Sequence, residues 1–78
     1  MKIWSIIINE TDDTPCLFSK SFKTREEAVE KALELGREYV EDRKEEWPNL
    51  YFNEEELSVN DEDFPFIQYE IEWTKIDI

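Results

Sequence analysis

Apolar and polar positions alternate along this chain with two different periods, and each change of period marks an element. From Lys2 to Asn9 the period is two. Trp4, Ile6 and Ile8 fall on one face and Ile3, Ser5 and Ile7 on the other. Both faces carry apolar residues, which predicts a strand inside a sheet and not at its edge. Asn9 to Pro15 is polar and acidic and reads as a connection. Cys16 to Phe22 reads as a second strand, with Cys16, Phe18 and Phe22 on one face and Lys20 the exception. A short connection between the two strands favours an antiparallel hairpin.

At Thr24 the period changes to that of a helix. Thr24-Arg25-Glu26-Glu27 has the form of a capping box, in which the hydroxyl takes a free amide and Glu27 reaches back. At 100° per residue, Ala28, Val29, Ala32, Leu33, Leu35, Gly36, Tyr39 and Val40 lie within an arc of about 160°. Glu27, Glu30, Lys31, Glu34, Arg37, Glu38, Glu41, Asp42 and Glu45 fill the opposite arc. Gly36 weakens the helix by about 1 kcal/mol relative to Ala. Its place in the apolar arc predicts a close approach to the sheet. Pro48 disfavours helix at the residue before it, so the helix is expected to end near Glu46.

After Pro48 the pattern is harder to place. Leu50, Tyr51 and Phe52 need apolar surroundings. Leu57 to Val59 reads as a short strand and Asn60 to Pro65 as an acidic turn. From Phe66 to Ile78 the alternation returns, with Ile67, Tyr69, Ile71 and Trp73 on one face. The apolar phase then moves to Ile76 and Ile78, which predicts a bulge near Thr74-Lys75. The expected fold is α+β: β-β-α-β-β, a single antiparallel sheet with one amphipathic helix packed on one face, in one domain spanning 1–78.

Charge changes this picture most. The 78 residues carry 21 Asp plus Glu against 9 Lys plus Arg, a formal net of −12, with no His. Phosphate backbones and anionic membranes repel such a surface. The expected partner is therefore a basic protein, not a nucleic acid or a membrane. The apolar run Ile3 to Ile8 is too short for a signal peptide. Cys16 is the single cysteine, which excludes an intramolecular disulfide and points to a reducing cytoplasm. Its place on an apolar strand face predicts a buried, inert thiol.

The missing residue types also exclude chemistry. Without His, and with one Cys, the usual zinc sites and Ser-His-Asp or Cys-His nucleophiles are not available. One Gly excludes a Gly-rich phosphate loop. Asn60-Asp61-Glu62-Asp63 lacks the Gly and distal Glu of a calcium loop, and Pro65-Phe66 interrupts it. Carboxylates such as Glu70 and Glu72 lie on a solvated strand face, without the desolvated pocket that acid catalysis requires. Neither an enzyme nor a cofactor is expected.

Acids concentrate in three places: Glu10, Asp12 and Asp13; the outer helix face; and Glu54-Glu55-Glu56 with Asp61-Glu62-Asp63. Glu30, Glu34 and Glu38 stand about 6 Å apart along the helix, with Glu41 and Glu45 alongside. From Glu26 to Glu46 nine acids oppose four bases, a net of −5. Over about 30 Å that is one charge per 6 Å, far below the one per 1.7 Å of duplex DNA. The helix alone imitates a duplex poorly. Residues 54–63 contain no base and are flanked by Tyr51, Phe52, Phe64 and Phe66, a setting suited to Arg, which pairs with carboxylates and stacks on rings.

In this surface character the chain resembles the small acidic phage proteins that mimic nucleic acid, the anti-restriction and anti-CRISPR inhibitors. The likeness rests on the −12 charge, on Glu30, Glu34, Glu38, Glu41 and Glu45, and on the 54–63 cluster. It implies an inhibitor that fills the nucleic-acid cleft of a nuclease without turnover, through Glu54, Glu55, Glu56, Asp61, Glu62, Asp63, Tyr51, Phe52 and the helix acids. The alternatives are an immunity protein or antitoxin facing a basic toxin, and a small adaptor domain. Lys23 to Ala32 also resembles the helix start of HicB-type antitoxins.

Overall fold

A computed structural model describes residues 2–11, 14–62 and 64–75. Five strands, β1 (Lys2–Glu10), β2 (Cys16–Leu17), β3 (Leu50–Asn53), β4 (Ser58–Asp61) and β5 (Phe64–Lys75), form one antiparallel sheet in the order β2-β1-β5-β4-β3. A single helix, α1 (Arg25–Arg43), lies across one face. This is the expected α+β architecture, with one more strand contributed by the segment after Pro48. The acids Asp12, Asp13 and Asp63 and the phase change at Ile76 and Ile78 lie outside the described residues.

The first strand does sit inside the sheet, paired with β5 from Lys2↔Lys75 to Glu10↔Ile67 and flanked on its other side by β2. The second strand is shorter than its pattern predicts. Its register sets Ile7 against Leu17 and Ile8 against Cys16. Continued, that register would bring Lys20 opposite Trp4, on the helix-covered face. Phe22 stands there instead and exchanges backbone hydrogen bonds of 2.7 and 2.8 Å with Trp4. Two residues are looped out, Lys20 is exposed, and Phe18 and Phe22 stack at 6.3 Å against the core. Releasing a few ladder bonds costs less than desolvating an unpaired ammonium. Cys16 is exposed, not buried, because β2 forms the outer edge of the sheet; its thiol lies 3.5 Å from the Thr14 carbonyl.

The helix begins as its capping residues dictate. Thr24 Oγ1 accepts from the Glu27 amide at 3.2 Å, and Glu27 Oε2 accepts from the Lys23 amide, one residue beyond the usual return bond. The helix ends at Arg43, before the expected Glu46, and residues 44–46 continue as turns. Ala28, Ala32 and Gly36 are its buried positions. They close a core of Ile6, Leu50, Val59, Ile67 and Tyr69, with Ile6 and Val59 completely enclosed. At Gly36 the helix lies close against the sheet residue Phe52. A Cβ there would lie 2.5 Å from Cδ1 and Cζ of Phe52.

The irregularity expected near Thr74-Lys75 is not there, since β1 and β5 pair regularly through Lys75. It lies between Val59 and Asn60, where the partners step from Ile67 to Pro65 and leave Phe66 unopposed. Strict alternation from Ile67 would point Phe66 away from the helix. The bulge turns it back to pack on the core and, at 5.1 Å edge-to-face, on Trp47.

Candidate acidic interface

The polar arc of α1 faces away from the sheet, so Glu30, Glu34, Glu38 and Glu41 are all exposed, and Glu45 is exposed in the turn beyond. Four acids gather where the helix dipole is negative: Glu41 and Asp42 in the last turn, Glu45 and Glu46 just after it. Each such placement costs about 0.3–1 kcal/mol at low salt. Arg43 is the basic residue in the last turn, and its guanidinium lies 3.7 Å from the centre of the Tyr39 ring.

The 54–63 acids do not form one cluster. Glu54, Glu55 and Glu56 occupy the turn between β3 and β4, and Asp61 and Glu62 lie at the other end of β4, about 13 Å away for a four-residue strand. Nor is the segment free of bases once folded. Arg37, one helical face across, binds Glu54 Oε1 through Nη2 at 2.7 Å and Nε at 3.1 Å. Sequence reasoning missed this pair because its partners are 17 residues apart. Among the described residues the other ion pair is Lys31–Glu34, at 3.3 Å. Both are exposed and each contributes about 0–1 kcal/mol. What Arg37–Glu54 does is join the 54–56 turn to the acidic face of the helix.

Around the opposite end, Asp61 stands across from Leu50, whose amide donates to the Trp47 carbonyl at 3.1 Å. The β4–β5 turn therefore adjoins the helix exit that bears Glu45 and Glu46. The two groups of acids flank β3 at its two ends. Leu57 and Glu62, which close the two turns, have left-handed backbones with φ of 54° and 52°.

The aromatics divide. Tyr51 is 47% exposed and points to the face without the helix, as its pairing with Asn60 requires. Phe52, its neighbour on the strand, turns the other way, opposite Val59, and packs between Gly36 and Tyr69. Phe52 is therefore part of the core and not of the exposed surface. Phe64, 52% exposed, stands opposite Asp61 instead, and Trp47, 43% exposed, packs with it on Phe66.

Tyr69 lies beneath this surface. Burial, and then the nearby Tyr39 and Glu10, push its phenol from 10.0 up to about 12, with Arg43 acting the other way. The fold thus holds the neutral phenol. The unfolded chain gives up that proton near pH 10 and the folded chain near 12, so this contribution is complete below pH 10 and is lost as pH rises from 10 toward 12. A phenolate absorbance titration of the folded protein should show a late step near pH 12. A Tyr69→Phe variant should lack the late step. A titration without that late step in the folded protein would contradict the burial of Tyr69.

No three His, Cys, Asp or Glu residues converge on a metal position among the described residues. A shallow groove of about 140 Å³ on the open face is lined by Asn9, Thr11, Glu56, Ser58, Asn60 and Gln68 among others. No described helix is long and apolar enough to cross a membrane.

Compared with protein-family models, curated proteins and solved structures, the chain shows no match. Its function has to be read from the surface alone.

Proposed function

We propose that the chain is a non-catalytic acidic inhibitor that binds the basic nucleic-acid-binding cleft of a nuclease, of the anti-CRISPR or anti-restriction type, in the cytoplasm of a host cell. It places carboxylates where phosphates would lie and carries out no turnover. The observation behind this reading is the Arg37–Glu54 pair, which joins the 54–56 turn to the row Glu30, Glu34, Glu38 and Glu41. The pair sets the exposed 54–56 turn beside the helix, where Glu55 and Glu56 add carboxylates to those of its outer face. The acids massed at the negative end of the helix are exposed and lower its stability. Such a cost is understandable where charge serves contact. The net charge of −12 also speeds encounter with a basic cleft.

The test is inhibition of a panel of restriction and CRISPR nucleases by the purified chain, with duplex DNA as competitor. Inhibition of at least one is expected, relieved by excess DNA and by salt. Changing Glu54, Glu55, Glu56 and Glu62 together to Gln should weaken it about tenfold or more while leaving the circular dichroism unchanged. Inhibition that survives both the four changes and high salt would sink electrostatic mimicry, as would a panel in which nothing is inhibited.

A further inference from the structure

We propose that the free edge of β3 receives an extended, lysine- or arginine-bearing segment of the partner as a sixth strand. This rests on the basic partner just argued and adds how that partner is held.

The sheet has two edges and they are built differently. The β2 edge is two residues long, follows Pro15, and is interrupted where Lys20 loops out. Short strands, prolines, lysines and bulges are the usual means of keeping an edge from pairing. The β3 edge, Leu50-Tyr51-Phe52-Asn53, has no charged residue, no proline and no bulge in its pairing with β4.

Its backbone is also available. The Tyr69 amide donates to the Leu57 carbonyl at 2.8 Å, so alternate β4 residues from Leu57 onward bond toward β5. Ser58 and Asn60 then bond toward β3, to their partners Asn53 and Tyr51. Leu50 and Phe52 direct their N–H and C=O groups off the sheet. The Leu50 amide is taken by the Trp47 carbonyl, which leaves the Leu50 carbonyl and both polar groups of Phe52 facing outward.

Charge chooses among strands. Glu54, Glu55 and Glu56 lie at one end of this edge and Asp61 and Glu62 at the other. A second copy of the chain would bring the same acids alongside and be repelled. An extended segment with cations about 13 Å apart would meet carboxylates at both ends. Tyr51, exposed on the open face in mid-strand, gives an incoming cation or aliphatic stem a ring to lie on.

The probe is a blocked peptide about 5 residues long, lysine at each end with valine, threonine and valine between, which sets the two lysines about 13 Å apart on one face. With the peptide about tenfold above its dissociation constant, hydrogen exchange at the Phe52 amide should slow about tenfold, with little change on the outer face of α1. The same peptide N-methylated at alternate residues keeps its charges and should give no protection. Equal binding of the methylated peptide, peptide shifts confined to α1, no peptide binding, or dimerisation of the chain through β3 would each overturn the edge proposal. Nuclease inhibition, scored separately, would still stand or fall on its own.

Discussion

Replacing Ile6 with Ala should remove about 2–5 kcal/mol of stability. A domain of this length holds only about 4–12 kcal/mol in total. Ile6 is completely enclosed, on the interior strand β1 opposite Ile71, in one cluster with Ala28, Ala32, Val59 and Tyr69. The residues that could fill the space explain why the upper part of the range is expected. The helix presents Ala28 and Ala32, which have no long side chain to swing inward. The strand backbone is held on both sides, including the bond from the Phe18 amide to the Ile6 carbonyl at 2.9 Å. Ile6→Val should cost only about 0.5–1.5 kcal/mol. Urea midpoints at constant slope would measure both. A loss under about 1 kcal/mol for Ile6→Ala would mean that the core lies elsewhere.

Gly36→Ala should also destabilise, although alanine is the better helix former by about 1 kcal/mol. The new methyl would lie 2.5 Å from two carbons of the Phe52 ring, a separation that real side chains do not tolerate. Overpacking of this kind costs about 1–3 kcal/mol, so the net effect should be a loss of up to about 2 kcal/mol. The sign should depend on Phe52. In a Phe52→Ala background the clash is gone, and Gly36→Ala should stabilise by up to about 1 kcal/mol. A double-mutant cycle reads this reversal directly. If alanine at position 36 is equally harmful with and without the ring, the close approach is not what requires glycine.

Which parts of this fold were legible in the sequence depended on whether a pattern had one physical cause or two. The helix start, the alternation of β1 and the inward face of β5 each follow from local rules, and the structure has them. The second strand looked continuous because its apolar residues kept the phase. Lys20 was the residue out of step, and it marks the place where the chain leaves the ladder. Phe66 misled in the opposite way. Its bulge lies opposite Val59 and Asn60, and no pattern within one strand shows where its neighbour slips. Leu50 to Asn53 were hard to place because a four-residue strand with Tyr51 turned outward shows too little alternation to stand out.

The surface was legible in composition but not in arrangement. Counting acids named the carboxylates but not how they are grouped. It could not show that β4 separates Glu56 from Asp61, nor that Arg37 reaches across from the helix to Glu54. Contacts between residues distant in the chain are set by topology, and topology also sent Phe52 inward and left Tyr51 outside.

The pairing of β1 with β5, from Lys2↔Lys75 to Glu10↔Ile67, bears on how the protein is made. β1 is synthesised well before β5, the strand it pairs with along its whole length. While the ribosome still holds residues 64–75, β1 has apolar groups on both faces, only the short β2 segment beside it, and no route to the central ladder. Closing a loop that spans nearly the whole chain is slow, and so large a sequence separation favours assembly in one late step over gradual growth. Nascent chains that stall before Phe64 should remain protease-sensitive from β1 to β4, and release of residues 64–75 should bring protection to all of these elements at once.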